Sequence, residues 1–407
     1  MGVTPDKRRR KSRPMLVKIG LPAGVLIVLC ICTIVVLQVL GSEGALFCPT
    51  SLPQLQMSGV SPVSAPSPCV LDLRNHCPGV IDFLAPAMPA TGTGTGNDSG
   101  TRDTVLLSQD GTFYTVQPGP HSPNRLTLPE ACAGVVALTT DRTWLACVAN
   151  TEGCGDCFTA CTWCFGTSVT VVSLLHTSHA QQRDVIVSEP GVEFGVLSWS
   201  PDARYIVLVR QQLGSVEGTS TSCSLAFYAG NGPDTSMTLA QESTLVGVDL
   251  CAVRQVLWSP DGDYIALLQG GFGSQSFAVY VVATSKLAPM LSAWRARPSG
   301  MQSMKVTPLL TLPTYDAMPY HAAPYLAWAP GNHSLAVSVA YGYKVVVVDP
   351  LSGAQAPVFT IPAKASPIGI FSWMPDGKRL VFAIGHGGLA TCGAPPDSIY
   401  LYTPPRL

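Results

Sequence analysis

Four cysteines near the middle of the chain have a spacing that suits either a metal site or a cluster of disulfides. Cys154, Cys157, Cys161 and Cys164 are separated by two, three and two residues. Four thiolates are a donor set for zinc or for an iron–sulfur cluster. Zinc sites usually separate their two pairs by a dozen or more residues, and the ferredoxin pattern has another spacing and a following proline. We therefore interpret the run as a disulfide-bonded insertion, with a metal site as the alternative and a redox-active Cys-x-x-Cys pair as a third hypothesis.

Residue patterns typical of catalytic sites are missing from the sequence. No Gly-x-Ser-x-Gly elbow occurs, and the seven histidines are scattered along the chain. His176 and His179 have helical spacing, but they follow an apparent strand and have no acidic neighbour, so we interpret them as loop residues. We predict no catalytic residue, no cofactor and no metal, the four clustered cysteines being the alternative metal ligands.

Aromatic side chains are concentrated in one late part of the chain. Tyrosine is enriched at protein interfaces, and a glycine-rich loop, Gly270–Ser274, precedes this part of the sequence. If a binding surface exists, we predict that it includes the following residues: Tyr315, Tyr320, His321, Tyr325, Tyr341 and Tyr343.

The first forty residues have the pattern of a membrane anchor. A basic cluster over residues 7–13 is followed by an uncharged, apolar stretch from Ile19 to Leu40. At about 1.5 Å per residue, this stretch is long enough to cross a hydrocarbon core of roughly 30 Å. The positive-inside rule then places the amino terminus in the cytoplasm and the remainder outside. A cleaved signal peptide is the rival interpretation, although its apolar region is usually about 7–15 residues.

These features divide the chain into four parts. We predict a cytoplasmic basic tail at 1–15, a transmembrane helix at 16–40, a Pro/Ser-rich spacer at 41–68 and a folded extracytoplasmic domain at 69–407. The chain has 14 cysteines, and those beyond the span are expected to form disulfides outside the cell. The spacing leaves the connectivity open, and the local pairs that it favours are Cys69–Cys77, Cys132–Cys147 and Cys223–Cys251.

The folded part is built from a repeated unit. Trp258-Ser259-Pro260-Asp261-Gly262 precedes an apolar strand, and near-copies begin at Trp199, Trp328 and Trp373. Proline presets φ, aspartate bonds nearby N–H groups and glycine accepts the left-handed region, so each copy predicts a turn between two strands. A degenerate copy has Leu138 in the tryptophan position. The strands are continuously apolar, which is typical of sheets buried on both faces.

The repeat resembles the Trp-Ser-Pro-Asp-Gly motif of TolB-like, WD-repeat-like and dipeptidyl-peptidase-type β-propellers, over roughly residues 134–385. The resemblance implies an all-β fold, and the remaining strands fit six blades, with seven as the alternative. We interpret the repeated tryptophans as packing between blades. The last blade lacks one strand, and we predict that Val70–Leu73 supplies it and closes the ring.

Charge excludes one class of partner. The chain has 24 basic and 25 acidic residues, and most of the basic cluster precedes the membrane span. The outside part is mildly acidic, which argues against nucleic-acid binding. We predict a membrane-anchored propeller that binds or scaffolds a protein, peptide or glycan. The alternatives are a hydrolase or lyase with a site in the central channel, and a redox or metal-binding protein that uses Cys154–Cys164.

Overall fold

The computed structural model describes parts of the compact unit Cys48–Leu407, and these parts are almost entirely β-structure. The described residues are 58, 60–63, 81–86, 104–109, 112–116, 124–126, 136–149, 166–174, 182–213, 221–270, 276–287, 302–313, 324–331, 333–362, 368–384 and 398–403. None of the helices in these segments has the length and apolarity needed to cross a bilayer. The predicted span at 16–40 lies outside the described residues.

The strands are numbered in chain order. They are β1 (Val60–Val63), β2 (Ile81–Pro86), β3 (Val105–Gln109), β4 (Thr112–Val116), β5 (Asn124–Leu126), β6 (Val136–Leu138), β7 (Trp144–Ala149), β8 (Ser168–Ser173), β9 (Gln182–Val187), β10 (Val192–Trp199), β11 (Tyr205–Gln212), β12 (Ser222–Ala229), β13 (Thr238–Val246), β14 (Val253–Trp258), β15 (Tyr264–Gln269), β16 (Ser276–Ala283), β17 (Gln302–Lys305), β18 (Leu310–Pro313), β19 (Leu326–Trp328), β20 (Leu335–Val339), β21 (Lys344–Val348), β22 (Gln355–Thr360), β23 (Ile368–Trp373), β24 (Leu380–Ile384) and β25 (Ser398–Tyr402). The helical pieces are α1 (Thr284–Leu287) and two 3-10 turns, Leu250–Ala252 and Ala340–Gly342.

The described strands form six sheets, which are the six blades of a β-propeller. From the inner to the outer strand, blade 1 is β2–β5, blade 2 is β6–β9, blade 3 is β10–β13, blade 4 is β14, β15, β16 and β18, and blade 5 is β19–β22. Blade 6 is β23, β24, β25 and β1. The prediction of six blades is confirmed by this pairing.

The core consists of six hydrophobic clusters, and each cluster joins two neighbouring blades. Blade 3 shows how this arises, because successive residues of β11 point to opposite faces. Val207 and Val209 pack against blade 4, whereas Ile206 and Leu208 pack against blade 2. A further cluster joins blade 6 to blade 1, so the ring is closed. The continuously apolar strands noted in the sequence follow directly from this burial on both faces.

Closure of the ring uses a different segment from the predicted one. The strand that pairs with β25 is β1, in which Val60 lies opposite Tyr402 and Val63 lies opposite Ile399. The prediction of Val70–Leu73 for this place is therefore wrong, and those four residues lie outside the described ones. The strand β1 contains Pro62, and the proline content of this region is the reason that the sequence predicted a spacer here and not a strand. Its position at the edge of the sheet explains why proline is tolerated there.

One hydrogen-bonded turn joins the two inner strands of a blade. In blade 4, the Ser259 hydroxyl donates to Asp261 Oδ1 at 2.6 Å, and the Asp263 amide donates to the same oxygen at 2.9 Å. The Tyr264 amide donates to the Ser259 hydroxyl at 2.9 Å. The carboxylate therefore holds the turn that sets β14 against β15, which is the structural role expected from the repeat.

The degenerate copy in blade 2 has the same turn. The Thr139 hydroxyl donates to Asp141 Oδ1 at 2.6 Å, and the Trp144 amide donates to the Thr139 hydroxyl at 3.1 Å. Leu138 pairs with Leu145, seven residues later in the chain, just as Trp258 pairs with Ile265 in blade 4. The placement of Leu138 in the tryptophan position is confirmed.

The repeated tryptophans connect successive blades, as predicted. The indole N–H of Trp328 donates to the carbonyl of Leu257 at 3.2 Å, and that of Trp373 donates to the carbonyl of Ala327 at 3.3 Å. Each accepting carbonyl belongs to the residue directly before the tryptophan of the preceding blade. Trp199 follows the degenerate blade 2, and its buried indole nitrogen has no hydrogen-bond partner among the described residues. The indole N–H of Trp258 donates to the Gly262 carbonyl of its own turn, at 3.1 Å, so the bond to the preceding blade is made by two of the four tryptophans.

The seam between blades 3 and 4 has three additional links. The disulfide Cys223–Cys251 joins β12 to the 3-10 turn before β14, which confirms one predicted pair. The strand β17, inserted between β16 and β18, pairs in parallel with the outer strand β13 of blade 3. The Leu287 carbonyl also accepts hydrogen bonds from Gln241 Nε2 at 2.7 Å and Ser243 Oγ at 2.8 Å.

Cys147 is disulfide-bonded as well, and Cys132, its predicted partner, lies outside the described residues.

The last position of the turn requires a positive φ, and this generates a reciprocal prediction. Gly262 has a φ of 86°, and Ala203 has a φ of 55° in the equivalent place. Ala203→Gly should raise the free energy of unfolding by about 0.5–1 kcal/mol, and Gly262→Ala should lower it by about 1 kcal/mol. A Cβ at Gly262 would lie 3.8 Å from Pro201, so the loss there is conformational and not steric.

Denaturant unfolding of the two variants measures this effect. Gly377→Ala is the comparison, because its Cβ would lie only 2.9 Å from the carbonyl oxygen of Pro330, and it should be more destabilising than Gly262→Ala. Unchanged stability in Gly262→Ala would contradict the requirement for a left-handed residue.

Candidate functional site

The antiparallel strands give each blade two ends with different roles. In blade 3, Trp199 lies opposite Ile206 at the end that carries the Ser-Pro-Asp turn. Val192 lies opposite Gln212 at the other end. We call this second end the loop face, because the connections between blades and the loops between second and third strands lie there. Loops on a rigid β-scaffold are common places for binding residues.

Two of the tyrosines predicted as a binding surface, Tyr325 and Tyr343, lie at the loop face of blade 5 and are partly buried in the seam with blade 6. Tyr325 precedes β19, and its ring meets that of Phe371 edge-on, with centroids 5.5 Å apart. Burial raises the pKa of Tyr325 to about 12. Tyr343 is half-buried and packs in the same blade 5–6 cluster. These two rings contribute to the core.

Of the other predicted binding residues and alternative metal ligands, only Tyr341 lies in the described part of the chain. Tyr341 belongs to the 3-10 turn Ala340–Gly342. The remaining predicted residues lie outside the described ones: Tyr315, Tyr320, His321, Cys154, Cys157, Cys161 and Cys164. The binding surface proposed at these tyrosines stays a prediction.

The cysteine-rich insertion begins after β7 and ends before β8, so both of its ends are at the loop face of blade 2. Where the chain returns, Gly166 forms a bridge to blade 3. Its amide donates to the Phe194 carbonyl at 2.9 Å, and the Phe194 amide donates to the Gly166 carbonyl at 2.7 Å. A Cβ at Gly166 would lie 2.2 Å from the Ala149 oxygen, so glycine is required at this position. The bridge fixes the base of the insertion against blade 3.

A cleft of about 410 Å³ lies beside this bridge, at the loop face between blades 2 and 3. We call it the seam cleft. Its lining includes Asp184 and Val187 of β9, Glu189 of the connection into β10, Glu193 of β10 itself, and Leu213 after β11. Val187 is 72% exposed and Leu213 is 37% exposed, and they are two of the four large hydrophobic residues exposed in the described part of the chain.

The walls of the seam cleft are held by backbone hydrogen bonds. The Ser188 amide donates to the Thr167 carbonyl at 2.8 Å, and the Val192 amide donates to the Glu189 carbonyl at 3.0 Å. The Leu213 amide donates to the Gly191 carbonyl at 2.8 Å. These bonds tie both blades to the same connection, so the cleft is formed before any ligand arrives.

The seam cleft is acidic. Asp184, Glu189 and Glu193 line it, and its described lining includes no lysine, arginine or histidine. The nearby cation is Arg210, which donates from Nη1 to Glu242 Oε1 at 2.9 Å and lies 3.9 Å from Glu189 Oε2. Because Glu242 already balances Arg210, the lining carboxylates give the cleft a net negative charge.

A second polar network lies close to the base of the cleft. The Ser224 hydroxyl also donates to Glu242 Oε1, at 2.8 Å, and this fixes the carboxylate that faces Arg210. Burial raises the pKa of Tyr228 to about 12, although the nearby Arg210 charge acts in the opposite direction. The network is therefore structural, and it keeps Arg210 in place below the cleft.

The seam cleft was not predicted from the sequence. Val187 is the last residue of an apolar strand, and by pattern it resembles a core position. The signal that was present is the turn Ser188-Glu189-Pro190-Gly191, which ends the strand directly after this valine and carries a carboxylate.

A second group of polar residues lies between the turns of blades 4 and 5. The potential donor atoms of Asp261, Asp263 and His333 are within 4.8 Å of one another, and all three residues are exposed. His333 Nδ1 lies 2.7 Å from Asp261 Oδ2, and its ring meets that of Tyr264 edge-on. Carboxylate and imidazole groups can bind divalent cations. Here both oxygens of Asp261 are already used, one by the turn and one by His333, so the group is explained as a link between blades.

This link predicts a dependence of stability on pH. Burial raises the pKa of Asp261, but the hydrogen bonds from Ser259 and Asp263 and the His333 charge together lower it below 3.8. A lowered carboxyl pKa stabilises the fold above the unfolded-state value, and this contribution disappears as pH falls through the folded-state value. Asp261→Asn should therefore lower the free energy of unfolding by about 1 kcal/mol near neutral pH.

Urea unfolding at a series of pH values tests this expectation. Asp261→Asn should have a lower free energy of unfolding than wild type at neutral and mildly acidic pH, and this difference should disappear well below pH 3.8. Asp234→Asn removes an exposed carboxylate from the β12–β13 turn and is the matched control. A difference that persists at the lowest pH would contradict a role for the ionised carboxylate.

Comparisons with known proteins find similarity in structure only. No protein-family profile and no curated protein sequence matches the chain. A putative TolB from Agrobacterium tumefaciens is 14% identical over 80% of this chain and 91% of its own, with a TM-score of 0.40. An oligogalacturonate lyase in complex with manganese is 13% identical over 75% and 74%, with a TM-score of 0.39. A chain of a nidogen/laminin complex is 11% identical over 69% and 84%, with a TM-score of 0.42. The six-bladed β-propeller is established by its own strand pairing and by its closed ring of seams.

Proposed function

We propose that this protein is a single-pass, membrane-anchored β-propeller that binds a macromolecular partner outside the cytoplasm. The basic cluster followed by the apolar stretch within 16–40 supports an anchor with a cytoplasmic amino terminus. The disulfide Cys223–Cys251 is consistent with an oxidising compartment. The partner is a protein, a peptide or a glycan, and the acidic character of the outside part argues against nucleic acid.

The observation that carries the binding role is the seam cleft. It combines exposed aliphatic side chains with carboxylates on a rigid scaffold, and its described lining offers no histidine, cysteine or lysine. Exposed apolar side chains beside fixed charges are suited to recognition of a ligand, and this combination is the basis of the proposed binding role.

Removal of the predicted anchor tests the location. Deletion of residues 16–40 should move the protein from the membrane fraction to the soluble fraction, because no other stretch of this sequence is apolar and long enough to hold it in a bilayer. An impermeant amine reagent should label the full chain in intact cells. Deletion of the spacer residues 41–57 is the control and should leave the protein in the membrane. Recovery of the full chain in the soluble fraction would contradict the proposed anchor.

Photo-crosslinking in living cells tests the binding role. A photoreactive amino acid at Leu213 should yield a crosslinked product with a partner, because this side chain is exposed at the cleft. The matched control is the same amino acid at Leu351, which is 75% exposed in the β21–β22 turn at the opposite end of the blades. Mass spectrometry of the product identifies the partner. Equal products at both positions, or none at Leu213, would contradict a binding role for the loop face.

A further inference from the structure

We propose that the seam cleft recognises a polypeptide segment in which an aliphatic side chain lies next to lysine or arginine. This inference rests on the proposed binding function and specifies the ligand of the same surface. Three carboxylates line the cleft, and the single nearby cation in the described part of the chain, Arg210, is shared between Glu189 and Glu242, so the lining keeps a net negative charge. Charge complementarity therefore selects a cationic ligand and disfavours phosphates and acidic segments.

The apolar part of the lining specifies the neighbouring group. Val187 and Leu213 both expose aliphatic side chains at the cleft, one from blade 2 and one from blade 3. An aliphatic side chain of the ligand in contact with them would bury apolar surface, which is favourable by about 25 cal/mol per Å². The described lining has no aromatic residue on which a sugar ring or a nucleobase could stack. A cationic, aliphatic peptide satisfies both requirements.

The rigidity of the cleft supports recognition of an extended segment. The connection between β9 and β10 is held by hydrogen bonds to Thr167 on one side and to Leu213 on the other. Gln212 Nε2 adds a further bond to the Gly191 carbonyl, at 3.1 Å. A site that is already ordered loses little conformational entropy on binding. A ligand with few contacts can therefore be held there.

Selection from a random library of twelve-residue peptides tests the proposed ligand. The full chain in mild detergent is immobilised, and peptides that also bind the double variant Glu189→Gln/Glu193→Gln are removed. The remaining peptides should be enriched in lysine or arginine beside leucine, isoleucine or valine. Enrichment in acidic or aromatic residues, or no enrichment over the library, would overturn the proposal.

Affinity measurements with the selected consensus peptide separate the two contributions. Glu189→Gln/Glu193→Gln should weaken binding about fivefold at low salt and less at high salt, because exposed ion pairs are screened. Leu213→Ser should weaken binding about tenfold at either salt concentration. These positions are exposed or half-exposed, so the fold should be retained, which thermal unfolding checks. Asp234→Asn removes a carboxylate from the opposite end of blade 3 and should leave the affinity unchanged.

The outcomes distinguish this inference from the wider binding function. Suppose that a partner is crosslinked at Leu213 but the cleft variants do not weaken peptide binding. This result would contradict the proposed ligand and leave the wider binding role standing. Equal losses in Asp234→Asn and in the cleft variants would show a general effect of charge and would likewise overturn the cleft as the site.

Discussion

The architecture depends on one constraint, which is that each sheet must bury both of its faces against its neighbours. A single blade presents apolar side chains on two sides, and only a closed ring covers all of them. The six hydrophobic clusters correspond one-to-one with the six seams, from blades 1 and 2 around to blades 6 and 1. The pairing of β1 with β25, the first and last described strands, completes blade 6 and so completes the ring.

The repeated residues set the geometry of this ring, but the four copies differ in how the tryptophan is hydrogen-bonded. The indole N–H reaches a backbone carbonyl of the preceding blade in blades 5 and 6, at Leu257 and Ala327. In blade 4, the indole N–H of Trp258 donates to the Gly262 carbonyl of its own turn. In blade 3, the buried indole nitrogen of Trp199 has no partner among the described residues. Packing between blades is therefore the role that the four tryptophans share, and the indole hydrogen bond is not.

Much of the fold is predictable from the sequence because its signals are local and repeated. The turns, the two inner strands of each copy and the pair Cys223–Cys251 follow from short patterns and spacing. Closure of the ring is not local. The strand β1 reaches blade 6 only through tertiary pairing, and Pro62 within it gives a misleading signal of a spacer. The strand β17 could not be predicted for the same reason, because this short segment is inserted in blade 4 but pairs with the edge strand of blade 3.

The candidate site could not be predicted, because its residues come together only when the blades assemble. Tyrosine enrichment pointed to blade 5, where Tyr325 and Tyr343 fill a seam. The seam cleft instead combines ordinary residues from the end of β9, from the connection into β10 and from the end of β11. Val187 and Leu213 are separated in sequence and lie on different blades, so their shared exposure is a consequence of how blades 2 and 3 meet. Because the backbone of the connection is anchored on both blades, its side chains are free to vary without cost to the ring, and a propeller can acquire a specific ligand at such a seam while its core stays unchanged.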